Sequence, residues 1–377
     1  MTAVSDQAAD ALPAPAHIRA LAAYQAGKPI SELAREFGLD PAKIVKLASN
    51  ENPLGVPDSA RAAMAQAAAD LGRYPDPNGF ELKAVLAGHY GVPAEWITLG
   101  NGSNDILELA ARAFLEPGKS AVYSQYAFAV YRLATQAAGA RHIMVPARDY
   151  GHDLDAMLAA IQADTQVLFI ANPNNPTGTF RPAAEVERFL EGVHAAHGER
   201  VVVVLDEAYN EFLAPELRVD SAAWVRRFPN LIVSRTFSKA YGLAGLRLGF
   251  AMAQPRATDL LNRVRQPFNT NSMAQAAAIA ALRDREFLER SYEVNRAGYR
   301  QLTEGLAALG LEFVPSFGNF VLTRVGDAAR INLELLKRGV IVRPVVGDGL
   351  PEFLRISIGL PEENAIFLAA LKAVLSA

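Results

Sequence analysis

The sequence predicts an α/β fold, in which a three-layer sandwich around a mostly parallel central sheet is joined to a smaller α+β domain. Short β-branched runs alternate with helical segments through the first two thirds of the chain. The length of 377 residues exceeds what one hydrophobic core usually holds. After about residue 271 the pattern changes to a long helical stretch and then shorter strands. We therefore predict an N-terminal arm that joins the small domain (1–48), a large domain (49–275) and a C-terminal small domain (276–377).

The N-terminal third begins with helical patterns. "KPISELAREFG" (28–38) predicts a helix that packs with the small domain. "SARAAMAQAAADLG" (59–72) predicts a helix closed by its final glycine. "EWITLG" (95–100) then predicts a strand, and "DILELAARAFL" (105–115) predicts the helix after it. This order is the start of a β–α alternation.

Five more apolar runs predict the strands of the large domain: "SAVYSQ" (120–125), "ARHIMVP" (140–146), "QVLFIANP" (166–173), "RVVVVLDEAY" (200–209) and "NLIVSRTF" (230–237). Helical stretches separate them, which indicates parallel strands covered on both faces. A single long helix is predicted over 272–309. The strands that follow it are "NFVLTRV" (319–325), "VIVRPV" (340–345) and "FLRISIG" (353–359).

Composition excludes several classes of protein. With 37 basic and 40 acidic residues, the net charge of -3 gives no reason to expect nucleic acid or an anionic membrane as a partner. The chain has no cysteine, so disulfides and thiolate metal sites are excluded, and we expect no metal centre. The N-terminus lacks a secretory signal pattern, and no apolar run approaches the roughly 20 residues that span a bilayer. We expect a cytoplasmic protein.

Ligands of open parallel sheets bind beyond the carboxyl ends of the strands, so the loops there are the candidate site. "NGSN" (101–104) follows one strand and precedes a helix. Its glycine, hydroxyl and helix N-terminus favour an anion. The alternative is an ordinary turn with Ser103 or Asn104 as the N-cap. "NPNNPTG" (172–178) has the prolines and glycine of a tight turn, but such a turn does not require its asparagines.

Two further strands end in charged residues. Asp206 follows the apolar run "RVVVVL", and a carboxylate delivered by a central strand needs a cationic partner. The alternative is an acid that begins a helix. Lys239 follows "LIVS" with Thr236, Ser238 and Arg247 nearby, which adds an amine and further phosphate donors. The alternative is a solvated surface lysine. Pyridoxal 5'-phosphate has the phosphate, the pyridine nitrogen and the aldehyde that such a set would bind.

Six motifs occur in a specific order: "LASNENPLG" (47–55), "RYPDP" (73–77), "NPNNPTG" (172–178), "LDEAYNEF" (205–212), "RTFSKAYGLAGLRLGF" (235–250) and "LRISIG" (354–359). On these motifs the chain, from about residue 18 to its end, resembles the aspartate-aminotransferase-like, pyridoxal-phosphate-dependent enzymes of fold type I. The resemblance implies a PLP-dependent aminotransferase.

The resemblance also implies roles for individual residues. Lys239 corresponds to the Schiff-base lysine, and Asp206 to the partner of the pyridine nitrogen. Tyr209 and Asn175 correspond to donors to the ring hydroxyl. Tyr126 corresponds to the ring that stacks on the cofactor, with an ordinary core residue as the alternative. The expected phosphate ligands are Gly102, Ser103, Thr236, Ser238 and Arg247, with Asn104 at a position where the family more often has an acid.

Substrate contacts follow in the same way. Arg355 corresponds to the arginine that holds the substrate's anionic group, with Tyr24, Asn52 and Arg343 close by. A structural ion pair is the alternative for Arg343. Tyr24 lies in "AYQAGK" (23–28), where the family often has Pro-Tyr-x-Pro-Gly-Lys. Tyr74 corresponds to a residue that reaches the phosphate in the neighbouring subunit of a homodimer.

The reaction that the resemblance favours belongs to histidine biosynthesis. It moves an amino group between L-histidinol phosphate and 2-oxoglutarate, with imidazole-acetol phosphate and glutamate as the other pair. An aromatic amino-acid aminotransferase and a threonine-phosphate decarboxylase share the fold and remain alternatives. A non-catalytic module that binds a phosphate ligand is a third, but it has no need for Lys239, Asp206 and Tyr209 at strand ends.

Overall fold

The computed structural model describes residues 13–23 and 27–376. Its largest sheet has seven strands in the order β2-β8-β7-β6-β5-β3-β4. These strands are β2 (Ile97–Gly100), β3 (Ser120–Ser124), β4 (Arg141–Val145), β5 (Thr165–Ala171), β6 (Val202–Asp206), β7 (Leu231–Thr236) and β8 (Gly249–Ala253). All adjacent pairs from β7 to β4 are parallel, and only β8 runs antiparallel to its two neighbours. The predicted α/β class and mostly parallel sheet are confirmed.

Strand β8 was not predicted. Its sequence "GFAMA" is short and follows a glycine-rich segment, so it carries little strand signal of its own. Backbone pairing with β2 on one side and β7 on the other stabilises β8 in the sheet.

Helices cover both faces of this sheet, and alternate residues of each strand enter different cores. In β5, Val167 and Phe169 belong to one apolar cluster, whereas Leu168 and Ile170 belong to another. The helices of this part of the chain are α3 (Asp58–Ala67), α4 (Phe80–Tyr90), α5 (Ser103–Phe114), α6 (Ala129–Ala137), α7 (Leu154–Ala159), α8 (Ala183–His197), α9 (Ser221–Arg227), α10 (Pro255–Val264) and α11 (Ser272–Arg283). The result is three layers.

The C-terminal part has its own apolar cluster, which includes Leu302, Leu354 and Phe367. Its sheet has the order β12-β13-β10-β9, and a separate two-stranded sheet pairs β1 with β11. These strands are β1 (Val45–Lys46), β9 (Phe313–Val314), β10 (Phe320–Arg324), β11 (Val340–Ile341), β12 (Arg343–Val345) and β13 (Leu350–Ser357). The helices are α12 (Arg285–Ala308), α13 (Ala328–Lys337) and α14 (Pro361–Leu375).

Within residues 13–23 and 27–44, two short helices precede the sheets: α1 (Ala16–Arg19) and α2 (Ile30–Phe37). Leu33 of α2 packs in a cluster with Leu336 and Ile341 of the C-terminal part. The proposed domain boundaries at residues 48 and 275 stay predictions.

The prediction of a single long helix over 272–309 is wrong, because the helix is interrupted at Asp284. This residue has φ -88° and ψ 73°, which is outside the helical region. Its carboxylate accepts a hydrogen bond from the N–H of Phe287 at 3.1 Å and so caps α12. An aspartate between two helical patterns was the available signal.

None of the helices within residues 13–23 and 27–376 has the length and apolar composition needed to cross a membrane.

Candidate active site

A cavity of about 190 Å³ lies at the carboxyl ends of β5, β6 and β7. It brings together most of the residues that the sequence singled out. Those on its wall are Ser103, Asn104, Asn175, Asp206, Tyr209, Thr236, Ser238, Lys239, Arg247, Arg343 and Arg355.

One end of the cavity suits an anion. Helix α5 begins at Ser103, and its N-cap is Gly102, which has φ 86° and gives no side-chain cap. The alternative with Ser103 or Asn104 as N-cap is therefore wrong. A helix start without a side-chain cap leaves backbone N–H groups for a ligand, and the helix dipole adds positive potential.

Arg247 adds a full positive charge at the same end. A Cβ atom on Gly102 would lie 2.5 Å from Nη2 of Arg247, so only glycine lets the guanidinium approach the helix start. Nη1 of Arg247 donates to Oγ of Ser238 at 3.4 Å and to the Ala244 carbonyl at 3.1 Å. Thr236 accepts the N–H of Ser238 on its own hydroxyl at 3.1 Å. Hydroxyls and a guanidinium thus surround the helix N-terminus.

Lys239 brings a primary amine into the cavity. Its Nζ donates to the carbonyl of Ser49 at 3.0 Å. Burial of the amine, assisted by the positive charges of Arg355 and Arg247, lowers the pKa of Lys239 to about 7, against the opposing effects of Glu51 and Asp206. A substantial fraction of this amine is therefore neutral near pH 7, which a base or nucleophile requires.

Asp206 is buried at the end of β6. Its Oδ2 accepts the Tyr131 hydroxyl at 3.0 Å, and its Oδ1 accepts the Ala208 N–H at 3.2 Å. Burial raises the pKa of Asp206 to about 6, although both hydrogen bonds favour the anion. A cation beside this carboxylate would stabilise its ionised form.

Tyr209 and Asn50 meet beside Lys239. The Tyr209 hydroxyl accepts Nδ2 of Asn50 at 3.0 Å, and the ring centroid lies 5.9 Å from Nζ of Lys239. Asn50 has φ 53°, and its Oδ1 accepts the Ser357 hydroxyl at 3.0 Å. Asn50 was not singled out from the sequence, although the motif at 47–55 contains it.

Arg355 and Asn175 form one side of the cavity. Nη1 of Arg355 donates to Oδ1 of Asn175 at 2.6 Å, and Nη2 donates to the Ala48 carbonyl at 2.7 Å. Arg343 faces Arg355 across the antiparallel pair β12–β13 and also lines the cavity. The two arginines thus give this side of the cavity a positive potential.

The cavity wall carries the aromatic residues Phe128 and Tyr209, whereas Tyr126, for which a stacking role was predicted, does not line it. Tyr126 has φ 55°, its carbonyl accepts Nδ2 of Asn174 at 3.0 Å, and its ring lies 6.0 Å from that of Tyr150. Phe128, two residues further along the chain, lines the cavity instead. A second aromatic two residues along was the only signal for Phe128.

Asn52 also lies off the cavity wall. Its Nδ2 donates to the Ala240 carbonyl and to Ser291 Oγ, both at 2.8 Å, and its Oδ1 accepts the Leu54 N–H at 3.0 Å. Both N–H donors of the amide are used within the chain, and Asn52 is not among the residues that line the cavity.

Two predicted residues remain, Tyr24 and Tyr74. Tyr24 is outside the described residues. Tyr74 is 82% exposed and stacks on Phe268 with ring centroids 4.6 Å apart, so it does not line the cavity of its own chain. Within the described residues, no cluster of three or more His, Cys, Asp or Glu could hold a metal ion.

Comparison with known proteins agrees with this geometry. The family model "Aminotransferase class I and II" matches residues 42–371. The chain belongs to this family. The aminotransferase is 67% identical over 366 residues to histidinol-phosphate aminotransferase 2 of Ralstonia nicotianae, covering 96% of this chain and 97% of that protein. It is also 67% identical over 365 residues to histidinol-phosphate aminotransferase 1 of Cupriavidus pinatubonensis, covering 96% of each chain.

A solved structure shares the aminotransferase's fold. Histidinol-phosphate aminotransferase of Sinorhizobium meliloti, in complex with pyridoxal-5'-phosphate, superposes with a TM-score of 0.86 at 31% identity. The match covers 97% of this chain and 98% of that chain.

Proposed function

We propose that this protein is a pyridoxal-phosphate-dependent histidinol-phosphate aminotransferase. It moves an amino group between L-histidinol phosphate and 2-oxoglutarate. The observation that carries the chemistry is that Lys239, Asp206 and the anion-binding end share one cavity. The relatives' names support the choice of histidinol phosphate among the substrates of this fold. A cytoplasmic location belongs to the same proposal, since a chain without cysteine suits a reducing compartment.

The residues on the cavity wall fit this cofactor. The uncapped start of α5, with Ser103 and Arg247, matches its phosphate. Asp206 supplies the anion for its pyridine nitrogen, and Phe128 supplies an apolar ring face. Gly249 lets β8 pack closely against the start of α5, because a Cβ atom at this position would lie 2.4 Å from the backbone nitrogen of Ser103.

When bound, the cofactor supplies an aldehyde carbon for amine exchange and a protonated ring that accepts electrons from the substrate's Cα. The rest is done by this chain. Lys239, neutral in a substantial fraction near pH 7, takes the Cα proton on Nζ and returns it during transfer. Asp206 holds the ring nitrogen in its protonated form, and Tyr209 and Asn175 donate toward the ring oxygen.

Arg355 and Arg343 orient the substrate through its phosphate. Both lie on the wall of the cavity that holds Lys239. A planar guanidinium binds a phosphate or a carboxylate through two parallel hydrogen bonds. The same arginines therefore serve the phosphate of histidinol phosphate and a carboxylate of 2-oxoglutarate in the two half-reactions.

An amine-donor screen tests the substrate. Purified protein loaded with pyridoxal phosphate is mixed separately with histidinol phosphate, phenylalanine, tyrosine and threonine phosphate, and conversion of the cofactor to its amino form is followed by absorbance. We expect histidinol phosphate to react with the highest kcat/KM. A preference for phenylalanine or tyrosine, or release of carbon dioxide from threonine phosphate, would replace the proposed substrate with that alternative.

The proposal includes a homodimer in which Tyr74 completes the partner's site. Tyr74 and Phe268 are exposed, and their rings stack on each other. Leu71 and Phe80, which lie near Tyr74 in sequence, are exposed as well, so this segment has an apolar surface. In a two-fold dimer the same patch is used twice, so each site would need both chains.

Mixed dimers test this arrangement. Lys239→Ala and Tyr74→Ala are each expected to be impaired as homodimers. In a mixed dimer, one site lacks both groups and the other has Lys239 and Tyr74 intact. We expect refolding the two variants together to give more activity than the separate preparations sum to. A mixed dimer confirmed by mass spectrometry that shows no gain would place Tyr74 in its own subunit or outside the site.

A further inference from the structure

Tyr131 has a buried hydroxyl that points at the reactive carboxylate and has no part in the chemistry described so far. It lies in the first turn of α6 and is fully buried. Its hydroxyl donates to Oδ2 of Asp206 at 3.0 Å. Nothing in the sequence singled it out, because an aromatic at this position in a helix usually belongs to the core.

The Tyr131 ring is held on two sides. It stacks on Phe169 of β5, with centroids 4.9 Å apart and 6° between the planes. It also meets Phe128 edge-on at 6.0 Å. The ring therefore reaches across β5 to the end of β6 in a fixed orientation, which fixes the hydroxyl.

The surroundings of Asp206 leave this hydroxyl as its main side-chain donor. The second carboxylate oxygen accepts only the weaker, 3.2 Å bond from Ala208 N–H. The other charged groups that act on Asp206 are Glu207, which raises its pKa, and Lys239, which lowers it. Burial and the Asp206 charge raise the pKa of Tyr131 well above its ordinary value, so the phenol stays neutral and remains a donor.

We propose that Tyr131 is a positioning residue whose hydroxyl orients the Asp206 carboxylate and stabilises it as an anion toward the ring nitrogen of the cofactor. The cofactor's part in this inference rests on the proposed function. The coupling between Tyr131 and Asp206 does not, and it can be measured without the cofactor.

The deciding variant is Tyr131→Phe, which keeps the stacked ring and removes only the hydroxyl. Tyr123→Phe is the matched control. Tyr123 is another buried tyrosine of the same apolar cluster, and its hydroxyl bonds to Nδ1 of His142 at 3.0 Å instead of to Asp206. Both variants lose one buried hydroxyl, so a general effect on packing would appear in both.

The first measurement is the dissociation constant of pyridoxal phosphate as a function of pH. If binding needs ionised Asp206, affinity falls as pH falls through the pKa of this group. We expect Tyr131→Phe to move that midpoint upward by roughly one pH unit or more, because a hydrogen bond to a charged group is lost. Tyr123→Phe should leave it in place. In an Asp206→Asn background this midpoint should be absent, and Tyr131→Phe should leave the pH dependence of the affinity unchanged.

The second measurement uses the full chain without cofactor and follows the Asp206 carboxyl carbon by 13C NMR during a pH titration. We expect the same upward shift in Tyr131→Phe. An unchanged carboxyl titration, or equal shifts in Tyr131→Phe and Tyr123→Phe, would overturn the role of Tyr131. A wild-type chain that fails to bind pyridoxal phosphate would instead refute the proposed function, and the NMR titration would still decide this inference.

Discussion

The carboxyl ends of β6 and β7, with the segments that follow them, carry two clusters of charged residues whose behaviour differs. One cluster is Arg235 with Glu207 and Glu211, and the other is Lys239 with Asp206 in the cavity. Asp206 and Glu207 are adjacent in sequence, so their side chains leave the end of one strand in different directions. The same two strands therefore supply both clusters.

In the Arg235 cluster the opposite charges pair directly. Nη2 of Arg235 donates to Oε2 of Glu207 at 2.6 Å, and Nη1 donates to Oε1 of Glu211 at 3.1 Å. Ser221 donates a further hydrogen bond to Glu207 at 2.8 Å. The two acids hold the pKa of Arg235 well above its ordinary value despite burial. This cluster ties the end of β6 to β7 through direct ion pairs.

In the cavity the opposite charges are kept apart. Lys239 bonds to a carbonyl and Asp206 to a hydroxyl and an N–H. Among the ion pairs of the described residues, none joins Lys239 to Asp206. Burial, with no direct ion pair to offset it, brings their pKa values close to neutrality, at about 7 for Lys239 and about 6 for Asp206. The difference shows that separation of buried charges, more than burial itself, marks the reactive cluster.

Removal of Lys239 should produce the largest effect. In Lys239→Ala we expect kcat for histidinol phosphate to fall by about 10⁴-fold, the upper end of what a general base contributes, because covalent attachment is lost as well. Lys337→Ala, at a surface lysine, should retain wild-type kcat. Steady-state kinetics of the two variants make the comparison. Residual activity within tenfold of wild type would remove Lys239 from the reaction.

Breaking the Arg235 cluster should instead reduce stability. Arg235→Ala leaves Glu207 buried without its cation, and we expect a loss of about 3–5 kcal/mol in the free energy of unfolding. Replacing Arg235 together with both of its acids, in Arg235→Met with Glu207→Leu and Glu211→Leu, should recover most of that loss. Denaturant unfolding measures all three chains, with the exposed Arg324→Ala as control. A loss below about 1 kcal/mol, as for a surface pair, would contradict the structural role.

Arg355 should affect the substrate more than the cofactor. Loss of a hydrogen bond to a charged group costs about 1.5–3 kcal/mol. We therefore expect Arg355→Ala to lower kcat/KM for histidinol phosphate by roughly 10- to 100-fold while cofactor absorbance stays near normal. Arg324→Ala serves as the control within the same small sheet. Unchanged kinetics would remove Arg355 from substrate binding.

The smallest expected effect is a pH dependence of stability in the cofactor-free chain. Asp206 has a pKa of about 6 in the folded chain, against 3.8 as its ordinary value. Between these values the folded state binds more protons, so stability falls as pH rises through this window. Asp206→Asn should make that decline shallower, whereas Asp259→Asn, at the surface, should leave it unchanged. Identical pH profiles for wild type and Asp206→Asn would contradict the assigned burial effect.

The residues that follow apolar strands could be predicted from the sequence. Asp206 and Lys239 each come after such a run, and the parallel topology brings their strand ends together. Positions set by a turn could not. Phe128 lines the cavity where Tyr126 was expected, and both Tyr126 and Asn50 have positive φ angles. Local pattern does not fix such φ angles for residues other than glycine.

Contacts between distant segments were also beyond prediction. Tyr131 touches Asp206 across 75 residues of sequence, and Arg355 touches Asn175 across 180. Neither pair has a periodic signature, because each depends on how a helix or a second sheet docks on the central one.

The most direct test that the cavity with Lys239 and Asp206 is the reaction centre is to reduce the cofactor-loaded protein with borohydride. The modified peptide is then mapped by mass spectrometry. Borohydride converts the bond between a lysine amine and the cofactor's aldehyde carbon into a stable secondary amine. We expect the loss of the yellow colour and one adduct, on Lys239, which is absent from Lys239→Ala. An adduct on any other lysine, or none, would contradict the assignment of this cavity as the reaction centre.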